Sequence, residues 1–549
     1  MNDKLNDKLN RNFLIASGLI LLAAFCGCLW FLDARLTCLL NSDDSSELIL
    51  GRLLSSENSL LSSGWYYSTE LRVLNTQIFY ALFFKFFDSW HAVRMASAVC
   101  LFGVLLAAYY FACRGLKIKK YFLLTAALLL MPFSSCYFDF VLKVSYYIPH
   151  IAITFFTIGL GEGFVAEDSK RKQKLYLAAA FFSAVLAAMG GPRQLIVLYV
   201  PLTLAAFALL ALASSVVNGK ITCTMRPGDK RFLLFAGVSF AGAGIGYCIN
   251  SFVLARLYSF TQWNYNISFV GFDFSKLAEI FNSFLLSCGY SCGLLLSEAL
   301  LCNFLCLCWM AFTVYACLHT IKNRAEADGA QYRMALFTTA AFVFFTLLCL
   351  LTDLSYSDRY TLPVIVLSLP MTVVLLKNAS LADKVKQAAA MIFVLLSAVS
   401  ACLFYAGEYR TDETAELRSI ADLLQKEHCS EGYATFWRAN ILTELSDGAI
   451  EVWTWQDSRE DQHITVSGID ETYKWLQLKS HDKTHPKGRV FLLFTKTELE
   501  NCPWADKLGA GQVLYQSDEY VVLGFESYDR LCGETAKPQQ APCPRFPLP

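Results

Sequence analysis

The stretch FLIASGLILLAAFCGCLWFL, residues 13–32, is apolar along its whole length. It is as long as the roughly 20 residues that an α-helix needs to cross a bilayer. The whole chain has the same character, because 55% of its 549 residues are hydrophobic, 17% are charged and the mean hydropathy is +0.42. A soluble protein needs more polar surface, so we expect an integral membrane protein. The formal net charge is zero, which gives no reason to expect a nucleic acid as partner.

The hydropathy pattern predicts about eleven membrane-spanning helices. They lie at 13–32, 92–113, 121–136, 146–165, 175–190, 194–215, 232–254, 296–319, 334–352, 361–377 and 388–406. With this count every basic loop falls on one side, which the positive-inside rule makes cytoplasmic. We therefore expect a multi-pass protein of the cytoplasmic membrane, with its N-terminus in the cytoplasm.

The first outer loop, residues 33–91, begins with the acidic stretch NSDDSSELILGRLL at 41–54, which predicts a short amphipathic helix. The later stretch TQIFYALFFKFF at 76–87 is too short to span, and counting it would put every later basic loop outside. We expect it to lie in the membrane interface. The loop and the spans together form a predicted membrane domain at 1–406.

The C-terminal part predicts a separate extracytoplasmic α/β domain at 407–535, because helix-like and strand-like stretches alternate. Helices are expected at 411–428 and 470–481, and strands at 433–437, 449–455, 489–495 and 512–526. Residues 536–549 are rich in proline and are expected to be disordered. One or two disulfides among Cys429, Cys502, Cys532 and Cys543 are possible, but the sequence cannot pair them.

Asp43 and Asp44 are adjacent carboxylates directly after the first span. Like charges raise the pKa of one of them unless a cation or metal lies close, and such a group could act as a base toward a hydroxyl. The structural alternative is capping of the helix that follows, where an acidic side chain stabilises the exposed amides. The two roles are compatible.

Two arginines lie at outer ends of spans, Arg193 in GGPRQ and Arg359 in SDRYTLP. A guanidinium binds two phosphate oxygens at once, so both are candidates for phosphate binding; ion pairs with loop carboxylates are the alternative. Further candidates for substrate binding or for a second acid occur in the same outer loops. They are Glu47, Glu70, Arg72, Asp139, Lys143, Tyr146, His150, Asp358 and Tyr360.

No cofactor is certain from the sequence. Two carboxylates beside a phosphate could hold Mg²⁺ or Mn²⁺, with Asp44 and Asp139 as the candidate ligands. The stretch GAGIGYC at 242–248 lies inside a span, so we interpret it as close helix packing rather than nucleotide binding.

Three stretches carry a resemblance to the GT-C superfamily of membrane glycosyltransferases: SDDSSELILGRLL at 42–54, STELRVLNTQIFYALFFKFF at 68–87 and DSWHAVRMASAVC at 88–100. The chain looks most like protein O-mannosyltransferases and lipid A aminoarabinose transferases of family 39 type, and GYATFWRANILTELSDGAIEV at 432–452 is similar to bacterial relatives. It lacks the acid-Glu pair and the KPPL or HPP-type motif of better-known members, which leaves the acceptor open.

The resemblance implies a GT-C-like fold and transfer of a sugar from a polyprenyl-phosphate donor to a glycan, lipid or protein acceptor on the outer face. It implies Asp43 or Asp44 as base and Arg193 and Arg359 on the leaving phosphate, all around one sugar phosphate. Direct displacement would invert the anomeric centre. The alternatives are a lipid-linked-glycan flippase or transporter, which usually has polar midplane residues and repeated halves, and a polysaccharide polymerase.

Overall fold

The structure is a computed structural model that describes residues 2–69, 71, 73–217, 220–223, 225–260, 268–291, 299–354, 357–455, 457–460, 463–466 and 472–535. Contacts divide the chain into two compact units. The first comprises Met1–Leu36, Thr69–Phe83 and Ala92–Thr411, and the second Thr37–Ser68, Phe84–His91 and Asp412–Pro549. The first outer loop of the sequence analysis, 33–91, is therefore divided between the units.

The first unit consists mainly of helices. They are Asn2–Arg35, Gln77–Phe83, Phe122–Leu128, Ser135–Tyr137, Ile148–Ala166, Lys170–Ala188, Val200–Ala213, Pro227–Ile249, Ala255–Leu257, Lys276–Ser287, Ala299–Lys322, Gly329–Leu351, Asp358–Leu367, Leu369–Asn378 and Asp383–Glu408, with π-helical segments Phe138–Lys143, Leu195–Tyr199 and Asn250–Leu254. The helix Trp90–Gly115 also belongs here, except for its first two residues, which are part of the second unit. A short antiparallel hairpin joins Ser214–Val217 to Lys220–Cys223.

Within the described residues, nine helices are long and apolar enough to cross a membrane, rather than the predicted eleven. They are Asn10–Cys38, Trp90–Gly115, Ile148–Ala166, Leu195–Ala213, Pro227–Leu257, Leu300–Lys322, Gly329–Leu351, Asp358–Asn378 and Asp383–Glu408. The predicted class, a polytopic helical membrane protein with a C-terminal domain that contains a sheet, is confirmed.

Two predicted spans account for the difference. The predicted span at 121–136 is wrong, because the helix Phe122–Leu128 has only seven residues and is followed by a non-helical segment that contains Pro132. The span at 175–190 is present as the helix Lys170–Ala188, but its 19 residues begin with KRKQK. Its apolar part is therefore too short to be counted as a span.

The glycines of 242–248 allow the helix Pro227–Ile249 to pack tightly on Lys170–Ala188. A Cβ at Gly242 would lie 2.7 Å from the carbonyl oxygen of Phe181, and one at Gly246 would overlap the backbone of Val185. The interpretation of this stretch as close helix packing is confirmed.

A buried ion network that the sequence analysis did not single out joins three helices of the first unit. Arg333 donates from Nε to Glu162 at 2.9 Å and from Nη2 to the second oxygen of the same carboxylate, while its Nη1 lies 3.3 Å from Asp229. All three side chains are at most 6% exposed. A charge buried this deeply is stable only when it is paired, so the network fixes the helix ends together.

The second unit contains a five-stranded mixed sheet. Its strands in spatial order are Gln512–Gln516, Tyr520–Phe525, Val490–Thr495, Glu431–Ala434 and Glu451–Thr454. The last three are mutually parallel and the first two pairings are antiparallel. The other described elements are the helices Ser42–Glu57, Ala415–Lys426, Phe436–Leu445, Lys496–Glu500 and Tyr528–Thr535, and the strand pairs Trp65–Tyr66 with Gln477–Leu478 and Asp457–Glu460 with His463–Val466.

Successive side chains of the central strand Val490–Thr495 point to opposite faces of the sheet, so the strand contributes to an apolar core on each face. Phe491 and Leu493 belong to one apolar cluster, and Leu492 and Phe494 belong to the other. The strand is therefore buried on both sides, as its continuous apolar run RVFLLFT suggests.

Some local predictions in this unit are wrong. The expected helix at 470–481 is replaced, where the structure describes it, by the strand Gln477–Leu478 and the short 3₁₀ helix Lys479–Asp482. The strand expected at 433–437 ends at Ala434, and the helix Phe436–Leu445 follows. Cys429 and Cys502 are buried thiols in different clusters, whereas Cys543 and the tail 536–549 lie outside the described residues.

Candidate active site

An arginine and aromatic cluster forms where three loops of the first unit meet. The guanidinium carbon of Arg193 lies 5.4 Å from the ring centre of Tyr360, and that of Arg359 lies 5.6 Å from the same ring. Arg193 also contacts the ring of Tyr147 at 5.1 Å, and Arg359 that of Phe140 at 5.6 Å. The two arginines that were predicted to bind phosphate thus both contact the ring of Tyr360. Tyr147 and Phe140 enlarge this aromatic cluster.

Local backbone features place both arginines beside helix ends. Gly191, with φ of 117°, and Pro192 end the helix Lys170–Ala188 and start the next, so Arg193 follows directly on the break. Arg359 is the second residue of the helix Asp358–Leu367. A cation at a helix N-terminus opposes the helix dipole, so an anion near it would be favourable.

The two guanidinium groups differ in their partners. Arg193 donates from Nη1 to the hydroxyl oxygen of Tyr147 at 2.7 Å. Arg359 makes neither a hydrogen bond nor an ion pair in the described part of the chain, and its Nε atom is buried. A buried donor without an acceptor costs free energy, and an anionic ligand would relieve that cost.

The segment from Asp139 to His150 contributes to two polar pairs in this region. Lys143, 5% exposed, lies with Nζ 3.0 Å from Oδ1 of Asp139. His150 lies with Nδ1 2.6 Å from Nε2 of Gln194, whose Oε1 is buried without a hydrogen bond in the described structure. The carboxylate of Asp139 therefore already has a cationic partner.

Most of the candidates of the first unit lie close together. The ring of Tyr147 is 5.6 Å from that of Tyr146 and 5.4 Å from that of His150. Asp358 contributes its carbonyl, which accepts from Ser287 at 3.2 Å. Sequence reasoning missed Phe140 and Gln194; the position of Gln194 directly after Arg193 was the available signal.

The acidic pair belongs to the second unit and takes part in a capping box at the start of the helix Ser42–Glu57. Asn41 is the N-cap residue; its side chain accepts from the amide of Asp44 at 2.9 Å, and its own amide donates to Asp44 at 3.3 Å. Asp44 is 7% exposed, whereas Asp43 is exposed. The capping alternative thus applies to Asp44. Glu47 is buried one turn further along.

The stretch 432–452, one of those that carried the family resemblance, contacts residues of two others within this unit. The hydroxyl of Ser42 donates to the carbonyl of Phe436, and Asn440 donates to the carbonyl of Ser42 at 3.4 Å. Asp447 accepts from the amide of Trp90 at 2.9 Å. The acidic stretch and the helix Phe436–Leu445 therefore form one packed structure.

A polar network supports the neighbouring strand pair. The hydroxyl of Tyr66 donates to the carboxylate of Asp482, and the ammonium of Lys479 lies 5.4 Å from the Tyr66 ring. Burial, together with the hydrogen bond and negative charge of Asp482, raises the pKa of Tyr66 to about 12. Burial lowers the pKa of Lys479.

Two candidates, Glu70 and Arg72, lie outside the described residues. In the described ranges no three His, Cys, Asp or Glu side chains are grouped so that they could hold a metal ion. The candidate metal ligands Asp44 and Asp139 belong to different units, and each carboxylate already has a partner within its own unit. The metal stays a prediction.

Comparison with known proteins adds evidence on the fold. No protein-family model matches the chain, and no curated protein matches it. Two solved structures of ArnT from Cupriavidus metallidurans do. The one bound to undecaprenyl phosphate has a TM-score of 0.53 at 12% identity over 95% of this chain and 99% of that chain. The apo structure has a TM-score of 0.56 at 12% identity over 96% and 100%. The chain therefore has the fold of the ArnT structures, as the GT-C-like expectation required.

Proposed function

We propose that this protein is a membrane glycosyltransferase that moves a sugar from a polyprenyl-phosphate donor to an acceptor hydroxyl on the outer face of the cytoplasmic membrane. The likeness of fold to ArnT, one structure of which holds undecaprenyl phosphate, supports this class. The observation that carries the proposal is the pairing of Arg193 and Arg359 at Tyr360, with the Nε of Arg359 buried and without a partner among the described residues.

The arginine cluster would hold the phosphate of the donor. A polyprenyl chain keeps that phosphate at the membrane surface, and the cluster lies at the ends of membrane helices. When the bond between the anomeric carbon and the phosphate oxygen breaks, negative charge grows on the phosphate. Guanidinium groups already in place stabilise that charge without reorganisation.

Asp43 would accept the proton of the acceptor hydroxyl. The hydroxyl oxygen attacks the anomeric carbon, its proton passes to the Asp43 carboxylate, and polyprenyl phosphate leaves with the bonding electrons. A single displacement inverts the anomeric configuration. A positioned base contributes roughly 10²- to 10⁴-fold in rate.

The two carboxylates have different roles in the proposal. The Asp44 carboxylate accepts from the Asn41 amide, so its task is to fix the helix start. The exposed carboxylate of Asp43 takes no part in that cap. We therefore assign the base to Asp43 and a positioning role to Asp44.

Tyr147 and His150 would position the cation that binds phosphate. Tyr147 accepts a hydrogen bond from Arg193 and contacts it with its ring. Gln194, next to Arg193 in the chain, is held by His150. Fixed partners of this kind reduce the entropy lost when a ligand is bound.

The experiment is mass spectrometry of polyprenyl lipids and envelope glycans from cells that lack the protein and from complemented strains. We expect a polyprenyl-phosphate sugar to accumulate in the deletion strain and with Asp43→Asn, but not with the wild type. Arg256→Gln, which changes an exposed arginine outside the cluster, is the control and should not cause accumulation. Unchanged lipid-linked sugars and glycans in the deletion strain would contradict the proposed reaction.

A further inference from the structure

The segment Ser268–Ser287 exposes a run of large apolar side chains. Six of them are between 45% and 76% exposed: Phe269, Val270, Phe272, Phe274, Leu277 and Phe281. They follow one another along a loop and the first turns of the helix Lys276–Ser287. Together they are called the apolar face here. An apolar surface of this extent marks a place where a protein meets another apolar phase.

One stripe of the same helix is buried in the first unit. Ile280, Phe284 and Cys288 pack in one cluster with Phe345 and Ile365. The spacing of four residues puts these three buried side chains on one stripe of the helix. The helix is therefore fixed to the first unit by its buried stripe, and the exposed Leu277 and Phe281 lie along the edge of that contact.

Backbone bonds tie the segment to the end of a membrane helix. Val270 donates to the carbonyl of Leu351 at 3.0 Å and Asp273 to that of Leu350 at 3.2 Å. The ammonium of Lys276 donates to the carbonyl of Thr352 at 2.9 Å. The last carbonyls of a helix have no partner within the helix, and without water they must be bonded by other groups.

The helix in question, Gly329–Leu351, is long and apolar enough to span the membrane. Its side chains Val343 and Leu347 are 52% and 40% exposed, as expected for contact with lipid. The apolar face is bonded to the end of this helix, so it continues the lipid-facing surface to the membrane boundary.

The charges of the segment Ser268–Ser287 and its neighbours indicate whether it contacts the head groups or the acyl chains of the lipid. Residues 268–291 contain two acidic side chains, Asp273 and Glu279, and one basic side chain, Lys276, which is bonded to a carbonyl. A surface that binds anionic head groups would have an excess of lysine and arginine. The segment instead resembles an interfacial helix that inserts its apolar side at the boundary between head groups and acyl chains.

From these observations we infer that the apolar face is embedded in the bilayer interface, with its phenylalanines among the upper acyl-chain carbons of the leaflet where Gly329–Leu351 ends. The partner is the lipid bilayer itself, independent of head-group charge. The last residue of the segment, Ser287, donates to the carbonyl of Asp358 and accepts from Thr361. The embedded helix thus adjoins the turn that contains Arg359.

The test uses the full-length protein in vesicles with a photoreactive benzophenone amino acid at single positions. At Phe281 we expect lipid adducts after irradiation, with equal yield in phosphatidylcholine and phosphatidylglycerol vesicles. Leu347, on the membrane helix, is the positive control, and the buried Phe284 of the same helix should give only cross-links within the chain.

The outcomes distinguish the other possible occupants of the face. Cross-links from Phe281 to a second copy of the chain would show a protein interface and overturn the inference. Absence of any adduct at Phe281, while Leu347 reacts with lipid, would show a solvent-exposed face and would also overturn it. A strong preference for phosphatidylglycerol would show head-group binding instead of apolar insertion.

Discussion

Replacing Arg359 by methionine should have opposite effects on the free protein and on its complex with polyprenyl phosphate. Methionine keeps an apolar stem beside Phe140 and Tyr360 and removes the charge. The loss of two ring contacts costs about 0.5 to 1 kcal/mol each at exposed sites. Removal of the buried Nε donor, which has no acceptor among the described residues, should return about 1 to 3 kcal/mol of unfolding free energy. The two effects nearly cancel, so we expect the stability of the free protein to change little.

Binding should respond much more strongly. A hydrogen bond to a charged group contributes about 1.5 to 3 kcal/mol, so the Kd for undecaprenyl phosphate should rise roughly 10- to 150-fold. At 100 times the wild-type Kd, the ligand stabilises the wild type by about 2.7 kcal/mol. A variant that binds 100-fold more weakly gains only about 0.4 kcal/mol under the same conditions.

Thermal unfolding with and without undecaprenyl phosphate measures both effects on one sample. Arg256→Met is the matched control, because Arg256 is an exposed arginine at the end of another helix. A full ligand-induced shift with Arg359→Met would refute phosphate binding by Arg359. A free protein that is strongly destabilised would refute the reasoning about the buried Nε.

Three further predictions concern stability. Asn41→Ala removes the N-cap and should cost about 1 kcal/mol of unfolding free energy, whereas Asp43→Asn removes only a charge in the first helical turn and should cost about 0.3 kcal/mol; equal losses would contradict the assigned roles. Gly246→Leu should disrupt folding, because its Cβ overlaps the facing helix backbone, whereas Gly244→Leu, with no atom within 4 Å of a Cβ, should fold and insert normally in a detergent-extraction assay. The folded pKa of Tyr66 is raised from 10.0 to about 12, so its contribution to stability is present below pH 10 and is lost as the pH rises toward 12. Tyr66→Phe should remove this alkaline loss in a pH series of unfolding curves, and an unchanged slope would contradict it.

The helical membrane class follows from the sequence because hydropathy over some 20 residues is a property of the local chain. Hydropathy alone also predicts a span where the helix is in fact interrupted, and this happened at Pro132 in the otherwise apolar run 121–136. Asp44 was correctly assigned to a helix start, but the N-cap is Asn41, three residues earlier, because the capping box uses both side chains.

The candidate site was only partly predictable. Arg193 and Arg359 stand out as cations at helix starts, but their meeting at Tyr360 depends on how the helices pack. The pairing of Glu162 with Arg333, 171 residues apart, has no signal in either local sequence. The helix predicted at 470–481 was wrong for the same reason, since pairing with a distant strand overrides the local preference for a helix.

The second unit has a consequence for biosynthesis. Asn440 bonds to the carbonyl of Ser42 across 398 residues, and the strand that contains Trp65 pairs with one that contains Leu478. Ribosomes add about 5 to 20 residues per second, so the early segment waits on the order of 20 to 80 s for its partner. During that interval the strand pair of Trp65, a residue that is fully buried in the finished protein, cannot form. A nascent chain that stops before residue 430 would lack both of these later partners permanently.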